Sequence, residues 1–178
     1  MSLGQEYLKV VQERFRSVKD LGDKTIAQLS ESELRFRTSE ASNSIALIVK
    51  HMSGNMVSRW TDFLTTDGEK PTRKRDEEFE DTLTTKADVL ACWEQGWKVL
   101  LDTLSQLREA DLLATVYIRS EPHTVMEAIE RQVAHYGYHV GQIVWIGKQI
   151  KGDSWHTLSI AKGESAAYLE QKQNEHRS

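Results

Sequence analysis

The stretch Gln132-Val133-Ala134-His135-Tyr136-Gly137-Tyr138-His139-Val140-Gly141-Gln142 decides both the fold and the candidate chemistry of this 178-residue chain. It lies in a long region without proline, and its apolar residues recur at helical spacing, so it predicts an α-helix. Side chains four residues apart in a helix point the same way and lie ~5–6 Å apart. His135 and His139 are therefore predicted to share one helix face, where two imidazoles can bind one metal ion at ~2.0–2.1 Å.

Working outward from this stretch, the apolar pattern predicts four long helices, at about residues 2–29, 44–66, 84–107 and 124–150. The first and the last of them open with the spacing of a capping box, Ser2 with Gln5 and Thr124 with Glu127. Four such helices in one chain of this length predict an all-α fold, a four-helix bundle.

The segments between these helices differ in character. Residues 30–33 are predicted to form a turn or a short helix. Residues 67–83 are interpreted as a polar loop, and the charged run 73–78 within it as a solvated part of that loop. The β-branched residues of segment 112–118, followed by Pro122, predict a short extended segment or hairpin before the last long helix.

The long 67–83 loop bears on the order of the helices. Fully extended, it would reach ~55 Å, whereas a 23-residue helix is ~35 Å long. The loop can therefore cross the whole bundle, and the second and third helices can run parallel. We expect a single domain over residues 1–178, with a core of about 2–151 and a C-terminal tail, 152–178, that contains one more helical stretch near 164–173.

Composition and charge exclude several classes of protein. The net charge is −4 with both signs interspersed, and no basic stripe indicates nucleic-acid binding. The longest apolar run, 45–49, is too short to span a membrane. Residues 1–6 lack the features of a signal peptide, and a single cysteine, Cys92, excludes an internal disulfide. We expect a cytoplasmic protein that acts on a small molecule and binds neither nucleic acid nor membrane.

His51, in the second predicted helix, is the candidate for a third metal ligand. On a helical projection, His51, His135 and His139 each lie at the edge of an apolar face, beside polar residues such as Asn55 and Gln142. That position suits a cleft at one side of the bundle, open to solvent. Three histidine ligands leave a coordination position for water or substrate, as in catalytic zinc sites, and imidazole also suits nickel, copper and iron. The alternative is that these histidines are surface or hydrogen-bonded residues.

The residues around the three histidines also resemble a known family. The segment Ile48-Val49-Lys50-His51-Met52-Ser53-Gly54-Asn55, together with residues 135–142, resembles the DinB/YfiT-like superfamily of metal-binding four-helix bundles. Residues 54–71 resemble one bacterial branch of it, and the resemblance extends to about residue 151. It implies an up-down-down-up order of helices, a homodimer, and a divalent ion, zinc or nickel, held by His51, His135 and His139.

The resemblance implies a class of function as well. Characterised members include transferases and isomerases that use low-molecular-weight thiols such as bacillithiol, mycothiol or glutathione. The first hypothesis is therefore a metal-dependent enzyme in which a metal-activated thiolate attacks an electrophilic carbon. Asn55, Arg59 and Gln142 are candidates for contacts to substrate or to the ligating histidines. Alternatively, Arg59 forms a surface salt bridge, and Asn55 and Gln142 form capping or interhelical hydrogen bonds.

Two other functions are alternatives. One is a non-catalytic metal-binding module for stress response or protein interaction. The other is metal-dependent hydrolysis, which needs a general base near the ion. Asp62 lies on the His51 side of its predicted helix, but ~16 Å farther along the axis, so the hydrolase is the weaker alternative.

Overall fold

The computed structural model describes residues 2–176. Within them, the regular structure consists of six α-helices, α1 (Leu3–Gln28), α2 (Glu31–Arg35), α3 (Ile45–Trp60), α4 (Lys86–Gln106), α5 (Val125–Lys151) and α6 (Ser165–Glu175), and of two strands, β1 (Thr115–Ile118) and β2 (Glu121–Thr124). Short 3-10 turns lie at Asp76–Phe79, Glu109–Asp111 and Gly152–Ser154. The long helices α1, α3, α4 and α5 pack around one apolar core, which confirms the predicted all-α bundle.

Contacts between α3 and α4 show that these two helices run parallel. Gly96 of α4 lies against Ser53 of α3, and farther along, the Thr103 hydroxyl of α4 donates to the carbonyl of Trp60 at 2.9 Å. Residue numbers therefore rise together along both helices. The connection between them, residues 61–85, must return the chain along the whole length of the bundle.

The other helix directions follow in the same way. The Tyr7 hydroxyl of α1 donates to Glu130 of α5 at 2.9 Å, and Thr25 of α1 packs at Gly147 of α5, so α1 and α5 are parallel. In contrast, Lys19 of α1 pairs with Glu94 at 2.8 Å, and Gln12 donates to the carbonyl of Leu104 at 3.4 Å. Helix α1 is therefore antiparallel to α4. The order is up-down-down-up, as predicted.

Capping residues fix the predicted helix starts. The side chains of Ser2 and Thr124 accept the backbone N–H groups of Gln5 and Glu127, whose own side chains accept the N–H groups of the two caps. Each arrangement satisfies two backbone donors that a helix start leaves free. The two capping boxes predicted from the sequence are confirmed.

The predicted end of the second long helix is wrong. Helix α3 ends at Trp60, not near Thr66. Asp62 adopts a left-handed backbone with φ 48°, and its carbonyl accepts the N–H groups of Thr65 and Thr66 at 3.0 Å. Phe63 nevertheless packs on Trp60 with ring centroids 4.6 Å apart, so the helical apolar spacing continues into a turn.

Aromatic side chains form the centre of the core. The Phe15 ring lies 6.5 Å from Trp97 and 6.0 Å from Tyr136, centroid to centroid, in edge-on or tilted contacts. Trp93 packs edge-on against Trp97 at 5.4 Å. All four side chains are buried, and burying each contributes roughly 1.5–3 kcal/mol. Trp93 and Trp97 are therefore core residues.

A short hairpin anchors the connection between α3 and α4. Strands β1 and β2 pair antiparallel, which confirms the predicted extended segment before the last long helix. Both turn residues, Arg119 and Ser120, have positive φ, 54° and 64°. The Asp67 carboxylate accepts their N–H groups at 2.9 and 2.7 Å. This contact fixes the start of the 61–85 connection against the hairpin.

The C-terminal part is less packed than the bundle. Helix α6 contains no buried residue. The predicted single domain with a core of about 2–151 stays a prediction, and Met1, Arg177 and Ser178 lie outside the described residues. Within residues 2–176, no helix combines the length and the apolar character needed to cross a membrane.

The parallel packing of α3 and α4 generates a prediction at Gly96. A Cβ there would lie 2.8 Å from the Cα of Ser53, a backbone atom that cannot move away. We expect Gly96→Ala to lower the free energy of unfolding by about 1–3 kcal/mol, as overpacking does. Gly137→Ala is the matched control, since a Cβ on this α5 glycine meets nothing within 4 Å. It should raise stability by about 0.5–1 kcal/mol. Equilibrium urea unfolding measures both changes, and effects of the same sign would contradict the packing described.

Candidate metal centre

The three histidines singled out by the sequence meet between α3 and α5. One nitrogen from each of His51, His135 and His139 lies within 4.8 Å of the other two. The His51 ring centroid is 5.7 Å from that of His135 and 5.0 Å from that of His139. The Nε2 atoms of His135 and His139 are 3.1 Å apart. Two nitrogens bound tetrahedrally to one zinc ion lie roughly 3.4 Å apart, so the His135–His139 pair needs little movement to bind an ion.

Each imidazole has its other nitrogen, Nδ1, beside a side-chain oxygen. The three pairs are His51 with Glu78 Oε2 at 2.9 Å, His135 with Gln132 Oε1 at 3.2 Å, and His139 with Gln142 Oε1 at 2.9 Å. An imidazole that donates from Nδ1 keeps the lone pair of Nε2 for a metal. The hydrogen bonds thus select the same tautomer in all three rings.

The protonation state of the α5 pair leaves ring nitrogens free to bind a metal ion. Burial, followed by the positive charges of His139 and His51, lowers the pKa of His135 to about 4. Burial also lowers the pKa of His139, although its bond to Gln142 acts in the opposite direction. Both rings are therefore neutral near pH 7. Two neutral Nε2 acceptors 3.1 Å apart have no proton to share, and a metal ion would satisfy both.

Glu78 is the functional residue that the sequence interpretation missed. The sequence predicts a solvated loop over residues 73–78, which is wrong for its two ends, because the side chains of Arg73 and Glu78 are only 4% and 8% exposed. Arg73 donates from Nε and Nη2 to the two Glu78 oxygens at 2.7 and 2.9 Å. Burial opposes ionisation of Glu78, but the hydrogen bonds from His51 and Arg73 outweigh it and lower the pKa of the carboxyl.

One sequence feature could have indicated this contact. Gly54 lies in the middle of α3, three residues after His51, where glycine costs roughly 1 kcal/mol relative to alanine. A Cβ at Gly54 would collide with Oε1 of Glu78. The glycine therefore leaves room for the carboxylate that orients His51.

The centre is less open than the sequence predicted. His51 is only 6% exposed, because the Phe79 ring stacks on it with centroids 5.0 Å apart and planes inclined by 26°. His135 and His139 are half-buried. The predicted solvent-open cleft is therefore wrong for His51, which lies beneath the 76–79 turn.

The other candidate residues have distinct surroundings. Asn55 is buried, and its Oδ1 accepts from the Tyr136 hydroxyl at 2.9 Å, which in turn accepts from Trp60 Nε1 at 3.1 Å. This is the interhelical hydrogen bond considered as an alternative for Asn55. Gln142 contacts the ligand candidate His139 directly, and its Nε2 donates to the Tyr138 hydroxyl at 3.1 Å.

Arg59 does not form the surface salt bridge considered for it. Its side chain is buried beneath Gly68, and its Nη2 lies 4.0 Å from Oε2 of Glu69. Within the described part of the chain, Arg59 Nε and Nη1 have no hydrogen-bond partner. The positive charge of Arg59 also contributes to the lowered pKa of His135, so Arg59 acts on the centre electrostatically.

Fold and site together define an up-down-down-up helical bundle with a three-histidine group that could bind a metal ion. The chain belongs to the family described as "Protein of unknown function (DUF1572)", which matches residues 2–164. The match includes all four long helices, the hairpin and the three histidines. A search of the curated proteins finds no match.

The Glu78–His51 contact generates a test of the centre. Glu78→Gln removes the negative charge behind the His51 ring and should weaken zinc affinity about 10–100-fold, as changes to groups that orient metal ligands do. Glu77→Gln is the matched control, since Glu77 is exposed and its carboxylate pairs with Lys74 at 2.8 Å. Competition with a chromophoric chelator measures both affinities, and circular dichroism checks the fold. Equal affinities of the two variants would show that Glu78 does not orient a ligand.

Proposed function

We propose that this protein is a divalent-metal-dependent enzyme of the DinB/YfiT-like type, in which His51, His135 and His139 hold a zinc or nickel ion. The observation that carries the proposal is the set of three oxygen-bonded Nδ1 atoms, which leaves Nε2 of each ring free, together with one nitrogen per ring within 4.8 Å of the other two. The chemistry of these donors fits such an ion, because neutral imidazole binds zinc and nickel well.

The reaction class we infer is transfer of a low-molecular-weight thiol to an electrophilic carbon. A divalent ion bound by three histidines would lower the pKa of a thiol that occupies its open position. The thiol proton leaves to solvent, the sulfur lone pair forms a carbon–sulfur bond, and the leaving group departs with the electron pair of its former bond. The protein's own contribution is to fix the three rings through Glu78, Gln132 and Gln142.

Two observations favour an added thiol over the alternatives. Burial raises the pKa of the half-buried Cys92 thiol, so this cysteine is a poor nucleophile at neutral pH. Hydrolysis needs a general base near the ion that is free to accept a proton from water. Glu78, the carboxylate that contacts His51, has both oxygens committed to Arg73 and His51.

A non-catalytic metal-binding module is the second candidate. Structural zinc sites are usually closed by four protein ligands, whereas catalytic sites have three and an open position. The three-histidine group fits the catalytic pattern better. We further propose a homodimer that acts on a small molecule, without nucleic-acid or membrane partners. The cytoplasmic location stays a prediction from the sequence.

Metal content tests the ligand assignment. Protein made without a metal-affinity tag should contain about one zinc or nickel ion per chain by elemental analysis. The variants His51→Ala, His135→Ala and His139→Ala should each lose most of it, because two imidazoles bind an ion far more weakly than three. His156→Ala is the control, since His156 is exposed. Full metal content in His135→Ala would contradict the proposed metal site.

Turnover tests the reaction class. Zinc- and nickel-loaded protein is assayed with bacillithiol, mycothiol and glutathione against halogenated aromatic electrophiles, and thioether formation is followed by mass spectrometry. We expect metal-dependent product with at least one thiol and none above background with His135→Ala. Stoichiometric metal without turnover across the panel would favour the non-catalytic module.

A further inference from the structure

A wide groove lies beside the candidate metal centre, between the outer face of α5 and the α2–α3 connection. Its volume is about 1100 Å³, at the upper end of the ~300–1,000 Å³ usual for small-molecule pockets. Its lining is mainly apolar, and the residues that matter for its chemistry are Phe36, Arg37, Ile48, Tyr138, Trp145 and Ile150.

Three large rings around this groove are exposed to water. Trp145 and Tyr138 are each 64% exposed, and Phe36 is 52% exposed. Single exposed apolar side chains are ordinary, but a cluster of them around one concavity is typical of a binding site. Flat aromatic walls select an apolar, preferably aromatic, group.

The charges of the groove favour an anion. Glu33 is neutralised by Lys151, with the Lys151 nitrogen 3.2 Å from the Glu33 carboxylate. Arg37 is exposed and, among residues 2–176, has no acidic partner. The groove therefore presents one uncompensated guanidinium, which can form a bidentate pair with a carboxylate or sulfonate.

The groove lies next to the candidate metal centre. Gln142 and Tyr138 line it, and Gln142 accepts the hydrogen bond from Nδ1 of His139. The far end reaches Gln149, ten residues beyond His139, which corresponds to ~15 Å along α5. An elongated molecule in the groove would thus have one end within a helical turn of His139.

We propose that this groove binds the apolar body of an anionic small molecule, the electrophilic substrate, with its aromatic or long aliphatic part between Phe36 and Trp145 and its anionic group at Arg37. The position of the reactive end at the three histidines rests on the proposed function. Binding in the groove itself does not, because Phe36, Arg37 and Trp145 do not contact the histidines.

The first experiment uses 8-anilino-1-naphthalenesulfonate, an aromatic sulfonate, titrated into zinc-loaded protein and followed by fluorescence. We expect saturable binding of one molecule per chain. Trp145→Ala should weaken it about tenfold, equivalent to ~1.4 kcal/mol. Arg37→Gln should weaken it several-fold, yet leave binding of the uncharged N-phenyl-1-naphthylamine unchanged. Tyr168→Ala and Arg14→Gln are the matched controls, because both residues are exposed and lie outside the groove.

The second experiment locates the probe relative to the ion. Cobalt(II)-loaded protein should broaden the proton resonances of the bound probe compared with zinc-loaded protein, and His135→Ala should abolish this difference while retaining probe affinity. If the protein takes up no metal but still binds the probe in a way that depends on Trp145 and Arg37, the groove proposal is supported and the proposed function is contradicted.

Two results would overturn the groove proposal. One is a probe affinity that Trp145→Ala and Arg37→Gln leave unchanged while the metal centre behaves as expected. The other is a dimer, seen by sedimentation, that excludes the probe and dissociates in Trp145→Ala. That result would make this face an interface between two copies of the chain.

Discussion

The contact between the Glu78 carboxylate and His51 is the constraint on which the candidate centre depends. Glu78 Oε2 and His51 Nδ1 are 2.9 Å apart, and both side chains are buried. An ionised carboxylate in such a place is strongly unfavourable unless it is paired and hydrogen-bonded. Arg73 provides the pairing with two hydrogen bonds, and Gly54 provides the space. His51 therefore has its orientation and tautomer fixed by a residue 27 positions away in sequence.

The same contact explains why the helix order matters for the chemistry. Parallel α3 and α4 require a connection that returns along the bundle, and this connection carries both Arg73 and Glu78. Two sets of contacts hold this connection against the rest of the structure. Asp67 binds the hairpin turn, and Glu69 pairs with Arg73 at 3.1 Å and with Arg119 at 3.4 Å. In an up-down-up-down bundle a short turn would replace this segment, and His51 would lose its carboxylate. The topology thus supplies a ligand-orienting group that no bundle helix provides.

The sequence predicted those parts that depend on local periodicity. Helix starts followed from capping spacings, and the juxtaposition of His135 and His139 followed from the geometry of one helix. The prediction that His51 lies beside them depended on a helical projection of the second predicted helix and on a family resemblance. Glu78 was not predictable in this way. The charged run 73–78 has no helical periodicity, so the sequence does not indicate which of its charged side chains are buried. The end of α3 was missed for a related reason, since Phe63 keeps the apolar spacing while Asp62 has already left the helical conformation.

The charges around the centre decide what kind of molecule it would accept. Glu78 is balanced by Arg73, and the partners of His135 and His139 are the neutral amides of Gln132 and Gln142. Buried Arg59 is only partly compensated, because Glu69 lies 4.0 Å away and is shared with Arg73 and Arg119. Three imidazole ligands would leave a divalent ion with its full charge in a partly buried site, where electrostatic interactions are stronger than in water. Such a centre favours an anionic ligand over a neutral one. A thiolate would meet that requirement, and the exposed guanidinium of Arg37 would extend the same preference along the proposed binding groove.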